Sequence, residues 1–174
     1  YKRQVLVIEN TELADQYRAG EYEPLSTEQA ITYCAFLKDW FERHNIEVIR
    51  TGLQSTEELD SGNSLVAGPY EPAMGELVVN EQYKQRIERC INEHIESFIN
   101  KELSQWNIWG QVNTYIALNI SIFYPRSLTS KVRGLKNRNM LYFQEKYPHL
   151  NINWYEDNTR NTVRCCIDGL QYVL

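Results

Sequence analysis

The chain lacks several features that would have fixed a reading at once. Across its 174 residues no apolar run approaches the ~18 residues that a bilayer-spanning helix needs. No basic-plus-apolar leader opens it, so a cytoplasmic location with no membrane attachment is expected. Cysteines are few and unpatterned. Cys34, Cys90, Cys165 and Cys166 make neither a disulfide framework nor a zinc-ligand spacing. Cys34 and Cys90 fall in helical patterns as small buried hydrophobes, and the adjacent Cys165 and Cys166 would point to opposite faces of a strand. The G-x-S-x-G, P-loop, H-E-x-x-H and Rossmann signatures are missing, which removes support for hydrolase and nucleotide-triphosphate readings. Positive charge is also short. With 18 Lys and Arg against 23 Asp and Glu, the net charge of −5 argues against the whole molecule clamping a nucleic acid. A local basic face remains compatible with that sum. There is no internal repeat and no low-complexity stretch.

What is present is ordinary globular composition, 43% hydrophobic and 24% charged, enough for one domain or two small ones. Val5 to Ile8 is a β-branched run of the kind buried in a parallel sheet. Thr11 caps a short helix to about Ala19. Ser26 with Gln29 forms a capping-box start for a helix to about Asn45, on which Ile31, Cys34, Ala35, Leu37 and Phe41 keep helical spacing. Ile46 to Arg50 reads as a second strand, and the pair reads as a β-α-β crossover whose sheet continues outside this chain. Thr51 to Pro72 has little periodicity and is expected to be a functional or linking loop. A helix is expected from about Ala73 to Leu103, and Trp106, Ile108 and Trp109 lead through Gly110 into a strand from Val112 to Phe123. Leu128 to Tyr147 reads as a basic, partly helical segment, and Asn151 to Tyr155 and Val163 to Ile167 as closing strands. Tyr1 to Gln4 are set aside as an expected assembly scar, because the transposon-end string TATAAGAGACAG encodes them.

Three stretches carry a family resemblance: VLVIENTEL with the following GEYEPLS, then VIRTGLQSTEEL, then VAGPYEPAMGELV. Together they resemble the closing part of bacterial radical S-adenosylmethionine (SAM) proteins of the Elongator-catalytic-subunit type. The family loop reads Gly-Pro-Tyr/Phe-His-Pro, whereas Glu71 stands here in the place of the histidine. The resemblance implies an α/β fold: the C-terminal portion of a radical SAM partial (β/α) barrel over residues 5–72, followed by a smaller α+β appendage over 73–174. It further implies a parent enzyme that uses a [4Fe-4S] cluster to cleave S-adenosylmethionine to a 5′-deoxyadenosyl radical. Elongator-type enzymes act on tRNA wobble uridine, so RNA is the implied substrate. The three closely spaced thiolates that such a cluster needs are not in this chain. The chain is therefore expected to be catalytically silent alone, to bind neither cofactor by itself, and to partner with a missing N-terminal barrel half of the same protein.

By position at the strand end, Arg50, Leu53 and Gln54 are the candidates to approach S-adenosylmethionine, with Arg50 a bidentate donor to its carboxylate. The alternative for Arg50 is a structural ion pair at the barrel rim. Arg126, Lys131, Arg133, Lys136 and Arg138, flanked by Tyr124, Tyr142 and Phe143, form a basic and aromatic run suited to phosphates and bases. The competing reading is a solvated helix face. No metal ligand set is identified. Cys90 and His94 share a helix face without a third partner, His44 reads as a helix cap or dipole partner, and Glu57-Glu58 and Glu156-Asp157 read as solvated loop acids. The rival function is a non-catalytic nucleic-acid-binding or docking module.

Overall fold

A computed structural model describes residues 6–54, 56–105 and 118–174 of the chain. The expectations for Tyr1 to Val5, for Trp106 to Gly110 and for the front of the strand, 112–117, lie outside these residues. The chain divides into two compact units, Tyr1–Gln82 and Tyr83–Leu174. The fold is mixed helix and strand, as the α/β class requires, with two separate sheets.

Unit 1 begins with β1 (Val7–Ile8), in which Val7 is fully buried. Thr11 then starts α1 (Glu12–Arg18): its hydroxyl accepts from the Ala14 amide at 3.2 Å and donates to the Ile8 carbonyl at 2.6 Å. The cap therefore fixes strand and helix together. The expected capping box opens α2 (Thr27–Arg43), with Gln29 N to Ser26 Oγ at 3.1 Å and Ser26 N to Gln29 Oε1 at 2.9 Å. Left-handed Asn45 follows its end, and His44 caps it through Nδ1 to the Trp40 carbonyl at 2.7 Å while stacking on the Trp40 ring. A short α3 (Glu57–Asp60) and β2 (Leu65–Ala67) precede α4 (Met74–Gln105), which passes from unit 1 into the numbering of unit 2.

Two expectations for unit 1 are corrected. Ile46 to Arg50 forms no strand, and β1 pairs with β2 instead, antiparallel, with Val7 opposite Ala67 and Ile8 opposite Leu65. The supposed β-α-β crossover is thus absent among the described residues. Strand preference depends on a partner and a burying surface. Ile49 is 92% exposed and has neither, whereas the segment read as a loop supplies β2.

Unit 2 is built on a four-stranded sheet in the order β4-β3-β5-β6. Its strands are β3 (Asn119–Tyr124), β4 (Asn151–Glu156), β5 (Arg164–Ile167) and β6 (Leu170–Val173). β3 and β4 run parallel, joined through α5 (Thr129–Arg133) and α6 (Arg138–Lys146), so the crossover logic applies here rather than at the chain's front. β5 lies antiparallel to β3, and the β5–β6 hairpin turns on Asp168 and Gly169, both at positive φ (47° and 86°). That Asp-Gly pair matches the right-handed twist of the strands it joins. One core is continuous from α4 to the sheet: Ile87, Ile91, Ile120, Ile122, Val132, Phe143, Cys165 and Ile167 are all fully buried.

Candidate functional site

The three family-like stretches converge on one cavity in unit 1. Leu25, Ala30, Tyr33, Cys34 and Leu37 from the approach to α2 and its first three turns form one wall of a space of about 770 Å³. Leu53, Pro69, Tyr70 and Glu71 line it from the other loops, with Met74 at the start of α4. The lining is mostly apolar, with a few polar tips, which is the usual make-up of a ligand or docking pocket. Burial pushes the Cys34 thiol above its ordinary pKa, so it sits there as a neutral thiol.

Local chemistry explains how the loops hold their places. Gly52 has φ +88°, and a Cβ there would lie 2.9 Å from the Met74 Cβ. Only glycine lets this loop lie so close to the start of α4 in that conformation. The Tyr70 hydroxyl donates to the Asp60 carboxylate, tying the Gly-Pro-Tyr loop to α3. Glu71 accepts from the Ala73 amide at 3.4 Å just ahead of α4. A carboxylate at a helix start is favoured by the free amides and the dipole.

Of the three proposed cofactor contacts, Leu53 lines the cavity and the other two pair with each other. Arg50 donates from Nη1 to Gln54 Oε1 at 3.1 Å, and both residues are exposed. That partner is an amide rather than the carboxylate of a structural ion pair. A guanidinium has five donors, so this bond leaves capacity for an anionic carboxylate.

Four of the five residues of the basic run face solvent. Arg126, Lys131, Lys136 and Arg138 are exposed, but Arg133 turns toward the buried Tyr124 hydroxyl, whose pKa burial raises and Arg133 works to lower. Val132 and Phe143 point into the core, which commits one side of α5 and α6 to packing. Gly134 is buried, with a Cβ there meeting Asn139 at 2.9 Å, and Lys136 and Asn137 adopt left-handed backbone (φ 52° and 61°) to turn the chain into α6.

Sequence reasoning missed a polar cluster that bridges α4 and α6. Glu88 accepts from Lys146 Nζ, from the Tyr142 hydroxyl at 2.9 Å and from the Tyr147 hydroxyl at 3.3 Å. Burial works to raise the Glu88 pKa, but the bonds from Lys146 and Tyr142 win and hold it below the usual carboxylate value. More than fifty residues separate the partners, so no local spacing could have announced them. The cysteines and His94 are likewise committed. Cys90 and Cys165 hydrogen-bond each other, and with burial this pushes the Cys165 thiol far up. His94 Nδ1 lies 2.9 Å from the Tyr172 hydroxyl, and half-buried Cys166 sits on the other face of β5.

Residues 4–85 match the family model of the Radical_SAM C-terminal domain. That stretch is just under half of the chain and agrees with unit 1 to within three residues at each end. It supports a radical SAM C-terminal region there. No curated protein and no solved structure matches the chain. Radical SAM chemistry implies a four-iron cluster, and the described residues do not fit one. Among the described residues no three His, Cys, Asp or Glu side chains converge on a metal-sized space. Cys34 belongs to unit 1, and the thiols of unit 2 face each other or opposite sides of a strand. Nor, among the described residues, is any helix long and apolar enough to cross a membrane.

Proposed function

We propose that this chain is the C-terminal part of a cytoplasmic radical SAM enzyme of the Elongator-catalytic-subunit type that modifies RNA. The [4Fe-4S] cluster and most of the S-adenosylmethionine site belong to the N-terminal barrel half of the same protein, which docks on unit 1. Arg50, Leu53 and Gln54 close the cofactor end of that barrel, and unit 2 handles the RNA, tRNA in the nearest analogy. The match of residues 4–85 carries this reading.

A physical feature of the same unit supports it. Tyr33, Phe36, Leu37 and Trp40 follow i, i+3, i+4, i+7 spacing on α2, yet all four are between 42% and 52% exposed. The opposite side of the helix buries Ala35 and Asp39, the latter paired with Arg43 at 2.6 Å. A helix that turns an aromatic stripe outward and a carboxylate inward is built for a second apolar surface. Burying the exposed half of each such side chain contributes roughly 1 kcal/mol, so four of them make a substantial docking anchor. The stripe runs into the cavity, since Tyr33, Phe36 and Leu37 also line it.

Anaerobic reconstitution of the chain with ferrous iron and sulfide tests the division of labour. The expected result is substoichiometric iron and no four-iron absorption band; a stoichiometric cluster in this chain alone would overturn it. The genomic frame upstream of the Val5 codon decides the enzyme reading itself. A C-x₃-C-x₂-C run is expected there, and a stop codon would leave only the non-catalytic binding module.

A further inference from the structure

The sheet of unit 2 has two unlike faces. On one, Ile120, Ile122, Tyr124, Cys165 and Ile167 are buried in the core. On the other, strand register aligns side chains of a different chemistry. Tyr155, Phe123 and Arg164 stand side by side across β4, β3 and β5. The Phe123 and Tyr155 rings stack with centroids 5.4 Å apart at 24°, and the Arg164 guanidinium lies 5.4 Å from the Phe123 centroid. Tyr155 keeps 47% of its surface exposed.

Toward the other end of the same face, three amides form a ladder. Asn151 Nδ2 donates to Asn119 Oδ1 at 3.2 Å, and Asn153 Nδ2 donates to Asn151 Oδ1 at 3.3 Å. Each amide has two donors and an oxygen with two lone pairs, so one or two such bonds leave capacity for a further partner. Beyond the aromatic row, the loops at the strand ends carry exposed Arg126 and Arg160. The Arg126 amide donates to Asn158 Oδ1 at 2.8 Å, which binds those two loops to each other. The acids at this end are engaged: Asp157 pairs with Arg164 and accepts from Thr159, and Glu156 accepts from Thr129 at 3.0 Å. By register Glu156 lies on the core side of the sheet, opposite Tyr124.

We infer that the Tyr155 side of this sheet face binds single-stranded nucleic acid, with a base stacked on exposed Tyr155 beside half-buried Phe123, the asparagine ladder meeting base edges, and Arg126 and Arg160 meeting phosphates. Stacked aromatics on a four-stranded sheet, amides that both donate and accept, and cations at the rim are what unpaired bases and their backbone require. Charge points the same way: unit 2 carries twelve Lys and Arg against eight Asp and Glu, a net of +4 in an acidic chain. The inference deepens the RNA part of the proposed function and is independent of the radical chemistry.

The test is fluorescence anisotropy of the full chain with labelled 12-nucleotide single-stranded RNA, the same sequence as DNA, and the RNA as a duplex. Binding of a single strand is expected to exceed duplex binding. Tyr155→Ala should weaken it at least five-fold and Tyr155→Phe less than two-fold, because the ring rather than the hydroxyl stacks. Arg126→Gln with Arg160→Gln should flatten the salt dependence. Circular dichroism of each variant guards against misfolding, and photocrosslinks from 4-thiouridine RNA should map to Tyr155 or Phe123 in the unmodified chain. The inference is overturned by duplex preference, by equal affinity of wild type and Tyr155→Ala with crosslinks elsewhere, or by no binding at all, including a chain that self-associates through this face instead. A strong DNA preference would keep the stacking face but overturn the RNA substrate.

Discussion

Unit 1 carries six Lys and Arg against fifteen Asp and Glu, a net of −9, while unit 2 stands at +4. The two also differ in how they treat apolar surface. Unit 2 gathers twelve buried side chains into one core cluster, from Ile87 on α4 through the sheet to Phe143 on α6. The cluster that seats α2 on α4 in unit 1 is Ala35, Met74 and Val78, with Ile31 and Cys34 against it, while larger rings on α2 face outward. A unit that satisfies its own apolar surface and is basic has the makings of a polyanion-binding domain. One that is acidic and leaves its best apolar stripe outside has the makings of a docking piece. The overall charge of −5 hid this division because it is the sum of the two.

The comparison is most severely tested in the core of unit 2. Ile122→Ala should cost about 3 kcal/mol, because the lost methylenes leave a cavity among fully buried neighbours. Urea unfolding followed by Trp154, which packs against this core, measures it. Val78→Ala in unit 1 should cost visibly less, since fewer buried side chains surround it. Equal losses would mean the two cores are of similar quality and would break the contrast.

A smaller effect, with a pH signature, comes from the α4–α6 cluster. Glu88→Gln should cost about 2 kcal/mol at neutral pH through its charge-assisted bonds to Lys146 and the tyrosines. Folding lowers the Glu88 pKa below its ordinary 4.5, so the contribution is complete above that value and is lost as pH falls through the lowered one. The raised Lys146 pKa works at the opposite extreme, keeping the pair charged until well above 10.5. The gap between wild type and variant should therefore be flat through neutral pH and close under acid, as chemical denaturation at stepped pH would reveal. A gap that persists unchanged under acid would assign Glu88 a packing role instead.

What the sequence disclosed follows from the range of the forces involved. Caps and helix faces act within four residues, and Thr11, the Ser26–Gln29 box, α2 and α4 stand where their spacing puts them. Strand partners are chosen across the fold. Ile46 to Arg50 had the composition of a strand and found no partner, while Leu65–Ala67 found β1 across more than fifty residues. β6 was missed although Asp168-Gly169, a strong two-residue hairpin signal, announces it. For the sites, the Gly-Leu-Gln and Gly-Pro-Tyr stretches come together around one cavity, which neither stretch's spacing announced. Of the basic run, Arg133 alone turns toward a buried group, Tyr124, which the run's spacing did not announce. Alternation of side chains along β3, β4 and β5, not the run itself, sets Phe123, Tyr155 and Arg164 on one surface.

A modest local effect separates propensity from packing in unit 1. Ser26→Ala removes the acceptor for the Gln29 amide and the reciprocal geometry of the box. The expected loss is about 1 kcal/mol, the usual worth of an N-cap, measured by thermal unfolding. Ser26→Asp should restore most of it, because a carboxylate caps as well and suits the helix dipole. No loss on Ser26→Ala would mean that α2 is held by contacts other than its own start.

The smallest expected change in stability is the one that bears most on what unit 1 is for. Trp40→Ser and Phe36→Ser alter side chains that are half exposed and lie outside the buried cluster of α2. Surface changes of this kind usually shift stability by less than about 0.5 kcal/mol. If the stripe exists to meet another polypeptide, the double variant should keep its unfolding midpoint, gain solubility, and fail to associate with the N-terminal barrel half in a pull-down where wild type succeeds. A large loss of stability would instead place those rings in the unit's own core. Retained association would move the docking surface elsewhere, and the acidic charge of unit 1 would then need another explanation than a face meant to be covered.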